Sequence, residues 1–214
     1  MASETPERAR RPALPRRLLR TEWKIWRSLA LWTTRRRPGV TATTVAFPYS
    51  RDVTPLLLAF LFGSLLELPV FHFLLPWEPA RLGALVLGVW GLLWMVGYIA
   101  AMRVFPHLLD ERGLRIRHGA SVDLLVPWDA IADVRAERDR VPRNDPLQFA
   151  IGPDGTAAKV AILKQTRVTV ELREPLVLPY RDDPREVVMV KLAADDPAGL
   201  VEAARRQLAA LNPT

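Results

Sequence analysis

Apolar and polar positions change rhythm three times along the chain. From Leu56 to Leu75, 20 residues are apolar or small apart from Glu67 and His72, and the 21 residues from Leu82 to Met102 include no Asp, Glu, Lys, Arg or His. Each run is long enough to cross about 30 Å of hydrocarbon as a helix. Between them lies Pro-Trp-Glu-Pro-Ala-Arg, 76–81, whose prolines end one helix and space the next, and Trp77 suits a membrane–water interface. The pattern predicts an antiparallel transmembrane hairpin over residues 53–103, with spans 56–75 and 82–102. The first run starts too far into the chain, and is too long, to be a cleavable signal.

Beyond Arg103 the runs shorten and alternate. Candidate strands are 114–119, 122–128, 131–139, 147–152, 159–164, 167–172 and 186–192, with turns at Gly113, Gly119, Pro-Asp-Gly 153–155 and Asp-Asp-Pro 182–184. The last segment changes period again. Asp195–Asp196 precede Pro197, and Leu200, Val201, Ala204, Leu208 and Leu211 form one helical stripe. The expected class is α+β: a two-helix membrane hairpin, then a domain over 104–214 of about seven antiparallel strands capped by a C-terminal helix.

Residues 108–137, LLDERGLRIRHGASVDLLVPWDAIADVRAE, bear on the identity of that domain. Asp110-Glu111-Arg112-Gly113-Leu114, the strand ending at Gly119, Val126-Pro127-Trp128 and the Ile131/Val134 pair resemble the bacterial pleckstrin-homology-like (PH-like) domains found behind membrane hairpins. The resemblance implies a split β-barrel of about seven strands closed by a C-terminal helix, with no catalytic motif. Eukaryotic relatives often bind phosphoinositides through a basic loop. The first hairpin here offers Arg112, Arg115, Arg117 and His118, and the loop 119–123 is not basic.

Charge adds an orientation. Residues 1–52 hold twelve basic and four acidic side chains, and the remaining residues eighteen and nineteen, so the basic excess belongs to the N-terminal arm. The turn 76–81 has one Arg and one Glu, whereas Arg103, Arg112, Arg115 and Arg117 follow the second run. Positive segments stay cytoplasmic, so both termini are expected inside a plasma membrane. The preponderance of Arg, 26 against 4 Lys, matches a high-GC bacterium, as actinobacterial compositions do. Residues 1–17 are expected to be disordered. Over 16–32, Leu19, Trp23, Trp26 and Ala30 recur at helical spacing among Arg16, Arg20, Lys24 and Arg27. This predicts an amphipathic helix in the inner interface, with Trp23 and Trp26 at headgroup depth and Arg20, Lys24 and Arg27 meeting anionic lipid. Arg35–Arg37 continue the patch. Arg clusters also bind phosphates of nucleic acid, but no reader motif accompanies them, so no nucleic-acid partner is expected.

Candidate chemistry is sparse. Without cysteine, disulfides, thiolate catalysis and Cys-based metal sites are excluded. No nucleophile elbow, P-loop, dinucleotide fingerprint or zinc-protease motif occurs, and His72, His107 and His118 lack ligand spacing. No cofactor, metal or small-molecule substrate is expected. Asp110/Glu111 and Asp182/Asp183 read as solvated turn charges, and Trp128 as a core aromatic. Glu67 remains. A carboxylate inside the bilayer costs about 2.5–3.5 kcal/mol on insertion scales. Glu67 is therefore either a packing residue beside Pro69, with Gly63 and Ser64 facing Gly88 and Gly91 and a hydrogen bond from Ser64 or Trp90, or a functional group that relays ions or meets another subunit. Two functions follow: a non-catalytic membrane anchor presenting a PH-like domain to a protein partner, a lipid surface or a second copy, or an accessory subunit of a transport or export complex.

Overall fold

The computed structural model describes residues 14–41, 43–143, 145–179 and 184–211, with side chains in the first helix from Glu22 onward. Helix α1 (Leu14–Thr33) is followed by a short strand β1 (Val45–Phe47), then by the apolar helices α2 (Thr54–Leu74) and α3 (Glu78–Val104). Thus 14–17, expected to be disordered, open a helix, while the rest of that expectation, residues 1–13, lies outside the described residues. Pro55 and Pro79 occupy the first turns of α2 and α3, where a missing N–H costs nothing. Both helices are long and apolar enough to cross a bilayer.

The two helices meet along a stripe of Leu57, Leu61, Ser64 and Leu68, each half-buried. Leu68 fills the space over Gly88, where a Cβ would fall 2.1 Å from its Cδ2. Small residues allow such close approach. The expected pairing is only half realised. Ser64 and Gly88 lie in the contact, but Gly63 and Gly91 face open space. Glu67 is exposed and makes no hydrogen bond or ion pair among the described residues. The cause is rotation: at 100° per residue, Glu67 falls about a quarter turn from the stripe's centre.

The remaining strands are β2 (His107–Leu109), β3 (Gly113–His118), β4 (Val122–Pro127), β5 (Ile131–Arg140), β6 (Gln148–Gly152), β7 (Gly155–Val160), β8 (Gln165–Leu178) and β9 (Arg185–Leu192), with helix α4 (Pro197–Leu211) last. Asp196 caps α4 by accepting the Gly199 N–H at 2.9 Å. Of the Asp-Asp-Pro turn, Asp182 and Asp183 lie outside the described residues. The strands form a four-stranded sheet, β1-β2-β3-β4, and a five-stranded sheet, β5-β8-β9-β7-β6.

This corrects the expected seven antiparallel strands in a barrel. The described residues hold nine strands in two sheets that do not close, and β7 pairs with β9 in parallel. The two extra strands, β1 and β2, have three residues each, too few for alternation to register. The parallel pair has a topological cause. Leu192 of β9 lies opposite Val160 of β7 on one side and Val168 of β8 on the other. A strand inserted between two oppositely directed neighbours must run parallel to one of them.

Alternation places the core. In β4, Val122, Leu124 and Val126 point inward while Asp123 and Leu125 are exposed. These pack with Ile116, Trp128, Ile131, Val134, Val170 and Val190 from both sheets, and Leu200 and Ala204 of α4 close the assembly. Trp128 is buried, its indole donating to the Asp110 carbonyl at 2.8 Å. The Asp110 side chain accepts the Arg112 N–H at 2.8 Å, so this acidic pair serves a turn.

Candidate anionic-ligand site at the helix–domain junction

The inner end of α3 is where the elements converge. Ile25 of α1 sits over Gly97, where a Cβ would lie 2.6 Å from Ile25 Cγ2 and 3.2 Å from its carbonyl oxygen. Trp26 packs edge-on against Trp90 at 5.1 Å between ring centroids, and its indole donates to Glu22 at 3.2 Å. Helix α1 therefore packs along α3 through Ile25 and the buried Ser28. Trp23 lies on the opposite side, 71% exposed. Lys24 and Arg27 border a small cleft with Arg117 and Asp123 of the sheet. Arg20 belongs to α1, but its side chain is outside the described residues.

Below this contact the linker 34–53 is stitched into the domain. Strand β1 pairs with β2, Val45 opposite Leu109 and Phe47 opposite His107. The Asp195 carboxylate accepts the Arg51 N–H at 3.0 and 3.1 Å, and Asp52 pairs with Arg167. Tyr49 is buried between two histidines, its ring centroid 4.7 Å from that of His107 and 6.0 Å from that of His118. The Tyr49 hydroxyl accepts the Gly119 N–H at 2.6 Å, and burial raises its pKa.

His107 is fully enclosed. Its Nδ1 accepts the Arg117 N–H at 3.0 Å, so Nε2 carries the proton and donates to the Ala193 carbonyl at 2.8 Å. Burial lowers its pKa to about 4, the Ala193 contact only partly opposing the effect. Burial also lowers that of His118. Arg117 is 3% exposed. It donates to the Pro38 carbonyl at 2.9 Å and holds Asp123 at 3.5 Å. Gly39 adopts φ 81°, and a Cβ there would sit 2.9 Å from the guanidinium, so glycine answers both the left-handed backbone and the close approach. With both ring nitrogens of His107 committed, and Arg117 and Tyr49 buried among backbone groups, this polar cluster is structural.

The open feature beside it is different. A cleft of about 800 Å³ lies between the end of α1, the linker and the end of α3, lined by Trp32, Arg35, Arg36, Arg37, Arg103 and Val104 among others, with no acidic residue among the described residues of its wall. Its shape begins at the α1 terminus. The Arg35 N–H bonds the Trp32 carbonyl at 3.0 Å and the Arg36 N–H bonds that of Leu31 at 2.9 Å, the pair of bonds of a Schellman cap. Arg35 holds the left-handed position at φ 54°, usually glycine's, at a cost of about 1–2 kcal/mol. All four guanidiniums are exposed, and none makes an ion pair or hydrogen bond with the described residues. Elsewhere Arg115, Arg135, Arg167 and Arg205 each hold a carboxylate.

Comparison with protein-family models, with curated proteins and with solved structures returns no match.

On the outer face of the larger sheet, Lys159 and Lys191 hold Asp139 at 2.7 and 3.1 Å. Burial opposes the charge on Asp139, but the two ammonium groups and the Arg140 N–H outweigh it and hold its pKa at about 2. Sequence reading missed this network because its members come from three strands, and it missed the cleft for the same reason. The Arg35–Arg37 run and Arg103 were each visible as positive charge, but nothing in the chain's order shows that they share a wall.

Proposed function

We propose that this chain is a non-catalytic integral protein of a bacterial plasma membrane, in which α2 and α3 cross the bilayer as a hairpin and hold a PH-like domain at the cytoplasmic face for interaction with a protein or the membrane surface. The carrying observation is that α2 has no buried residue and presents Phe60, Phe62, Leu66, Phe73 and Leu74 outward. An apolar surface of this extent far exceeds what a water-soluble monomer exposes. The PH-like reading rests on the motif resemblance and on two successive sheets closed by α4. Presentation as a rigid unit is supported by the Asp195 and Asp52 contacts that bind the linker to the domain.

The chain has no cysteine, so single-cysteine variants test the topology cleanly. In intact cells a membrane-impermeant maleimide should label Glu78→Cys at the hairpin turn. It should label Glu202→Cys in α4 only after permeabilisation. Labelling of both sites in intact cells, or recovery of the chain in solution without detergent, would overturn the reading. A second reading, an accessory subunit of a transport or export complex, is favoured by Glu67, which projects away from the α2–α3 contact without a partner among the described residues. It requires that Glu67→Gln abolish the complex's activity while the protein still inserts.

A further inference from the structure

We infer that the cleft between the ends of α1 and α3 is a discrete binding site for the phosphodiester headgroup of an anionic phospholipid of the inner leaflet. The inference rests on the membrane reading above and goes beyond a diffuse attraction of basic residues to a charged surface.

Three observations carry it. First, Arg35, Arg36 and Arg37 after α1 and Arg103 of α3 converge onto one cavity with no acidic neighbour among the described residues of its wall. Clustered like charges repel, and whereas Arg115, Arg135, Arg167 and Arg205 each hold a carboxylate, these four have none among the described residues, so an anion would complement them. Guanidinium forks match phosphate oxygens two at a time. Second, the cleft's volume of about 800 Å³ falls in the range of small-ligand sites, ample for a glycerophosphate headgroup, and the Arg35 cap fixes the direction in which the triplet leaves α1. Third, the wall is amphipathic. Leu31, Trp32, Val104 and Pro106 share it with the arginines. Arg103 is the penultimate residue of α3, so the cleft stands where the hairpin would meet the inner headgroups. A free phosphate would use the arginines but not the apolar wall, whereas a lipid uses both.

The test is native mass spectrometry of the full chain in detergent, titrated with phosphatidylglycerol or phosphatidylcholine. One phosphatidylglycerol should be retained per chain and phosphatidylcholine not. Each basic side chain at an anionic surface contributes about fivefold, so Arg36→Ala/Arg103→Ala should retain it about 25-fold more weakly, whereas Arg206→Ala on α4 should not change it. Arg36→Lys/Arg103→Lys keeps the charge and loses the forks, and should weaken retention severalfold. Full affinity in the lysine variant would reduce the cleft to a charged surface and overturn the site. Equal retention of both lipids would overturn it too. So would displacement of the lipid by millimolar inorganic phosphate, which would make free phosphate the ligand. All these measurements use protein that needs detergent, so failure here leaves the membrane reading standing. If a variant unfolds, lipid selectivity of the unmodified chain still decides.

Discussion

The two ends of α3 belong to one continuous helix and live in different surroundings. From Glu78 to Leu93 no residue is buried, and Val86, Leu87, Val89 and Trp90 are exposed. From Gly97 to Val104 almost every position is covered by α1, the linker or the sheets. Composition does not distinguish them, since both are apolar. The inner third has a protein partner and uses small residues, Gly97, Ala100 and Ala101, to let it come close. In the outer two thirds contact narrows to one stripe, with Gly88 under Leu68 and Trp90 beside Trp26, and bulky side chains such as Val86 and Leu87 stay exposed. In the membrane reading proposed above, the uncovered apolar surface faces lipid, and the change between the two states marks the boundary at which the lipid ends.

The comparison can be broken most easily by acid. His107, at the foot of α3, is neutral in the fold with a pKa near 4, against about 6.5 when unfolded. The unfolded chain therefore binds the extra proton between those values, and stability is full above pH 6.5 and falls as pH drops toward 4. The loss expected from this group is about 3 kcal/mol. Melting curves of the detergent-solubilised chain from pH 7.5 to 4 should show it, and His107→Gln should flatten the profile to the part that His118 contributes. A pH-independent melting temperature would mean that the ring is not enclosed.

Glycine substitutions sharpen the contrast directly. Gly97→Leu drives a side chain into Ile25 and should destabilise by about 1–3 kcal/mol. Gly91→Leu, which meets nothing within 4 Å, should stay within about 0.5 kcal/mol. Equal effects at the two sites in thermal melts would erase the distinction between the ends. Tyr49→Phe removes the acceptor of the Gly119 N–H and leaves that part-buried donor unsatisfied, costing about 1 kcal/mol, measurable by chemical denaturation. The smallest effect belongs to the outer end. Glu67→Gln should leave the melting temperature of the isolated chain unchanged, within about 0.5 kcal/mol, because the side chain touches no partner within the described fold. A large loss would place Glu67 in an internal hydrogen bond after all.

Much of the architecture was readable before the fold was known. The two long apolar runs, the period-2 segments of β3, β4, β5 and β9 and the stripe of α4 are local rhythms, and a rhythm survives without knowledge of its partners. Helix α1 was legible as amphipathic, although its apolar face turned out to cover Gly97 and Trp90 of α3. Trp128 was legible as a core residue, and the structure supplies its acceptor. By contrast, β1 was invisible, since three residues become a strand only when β2 is there to receive their hydrogen bonds. The rotation that sends Glu67 away from α3 depended on Leu68 seating over Gly88, a choice between faces that are all apolar.

What the chain's order determined by itself, then, was the kind of environment each segment requires, because hydrophobic period and length act within one element. Which segments share a site was decided only in three dimensions. The Arg35–Arg37 run and Arg103 are separated by the whole apolar hairpin, Tyr49 reaches His107 and Gly119 across the same distance, and β9 enters between β7 and β8 from further along the chain. Such meetings arise from the closing of long loops by packing and backbone pairing, and no local pattern records them.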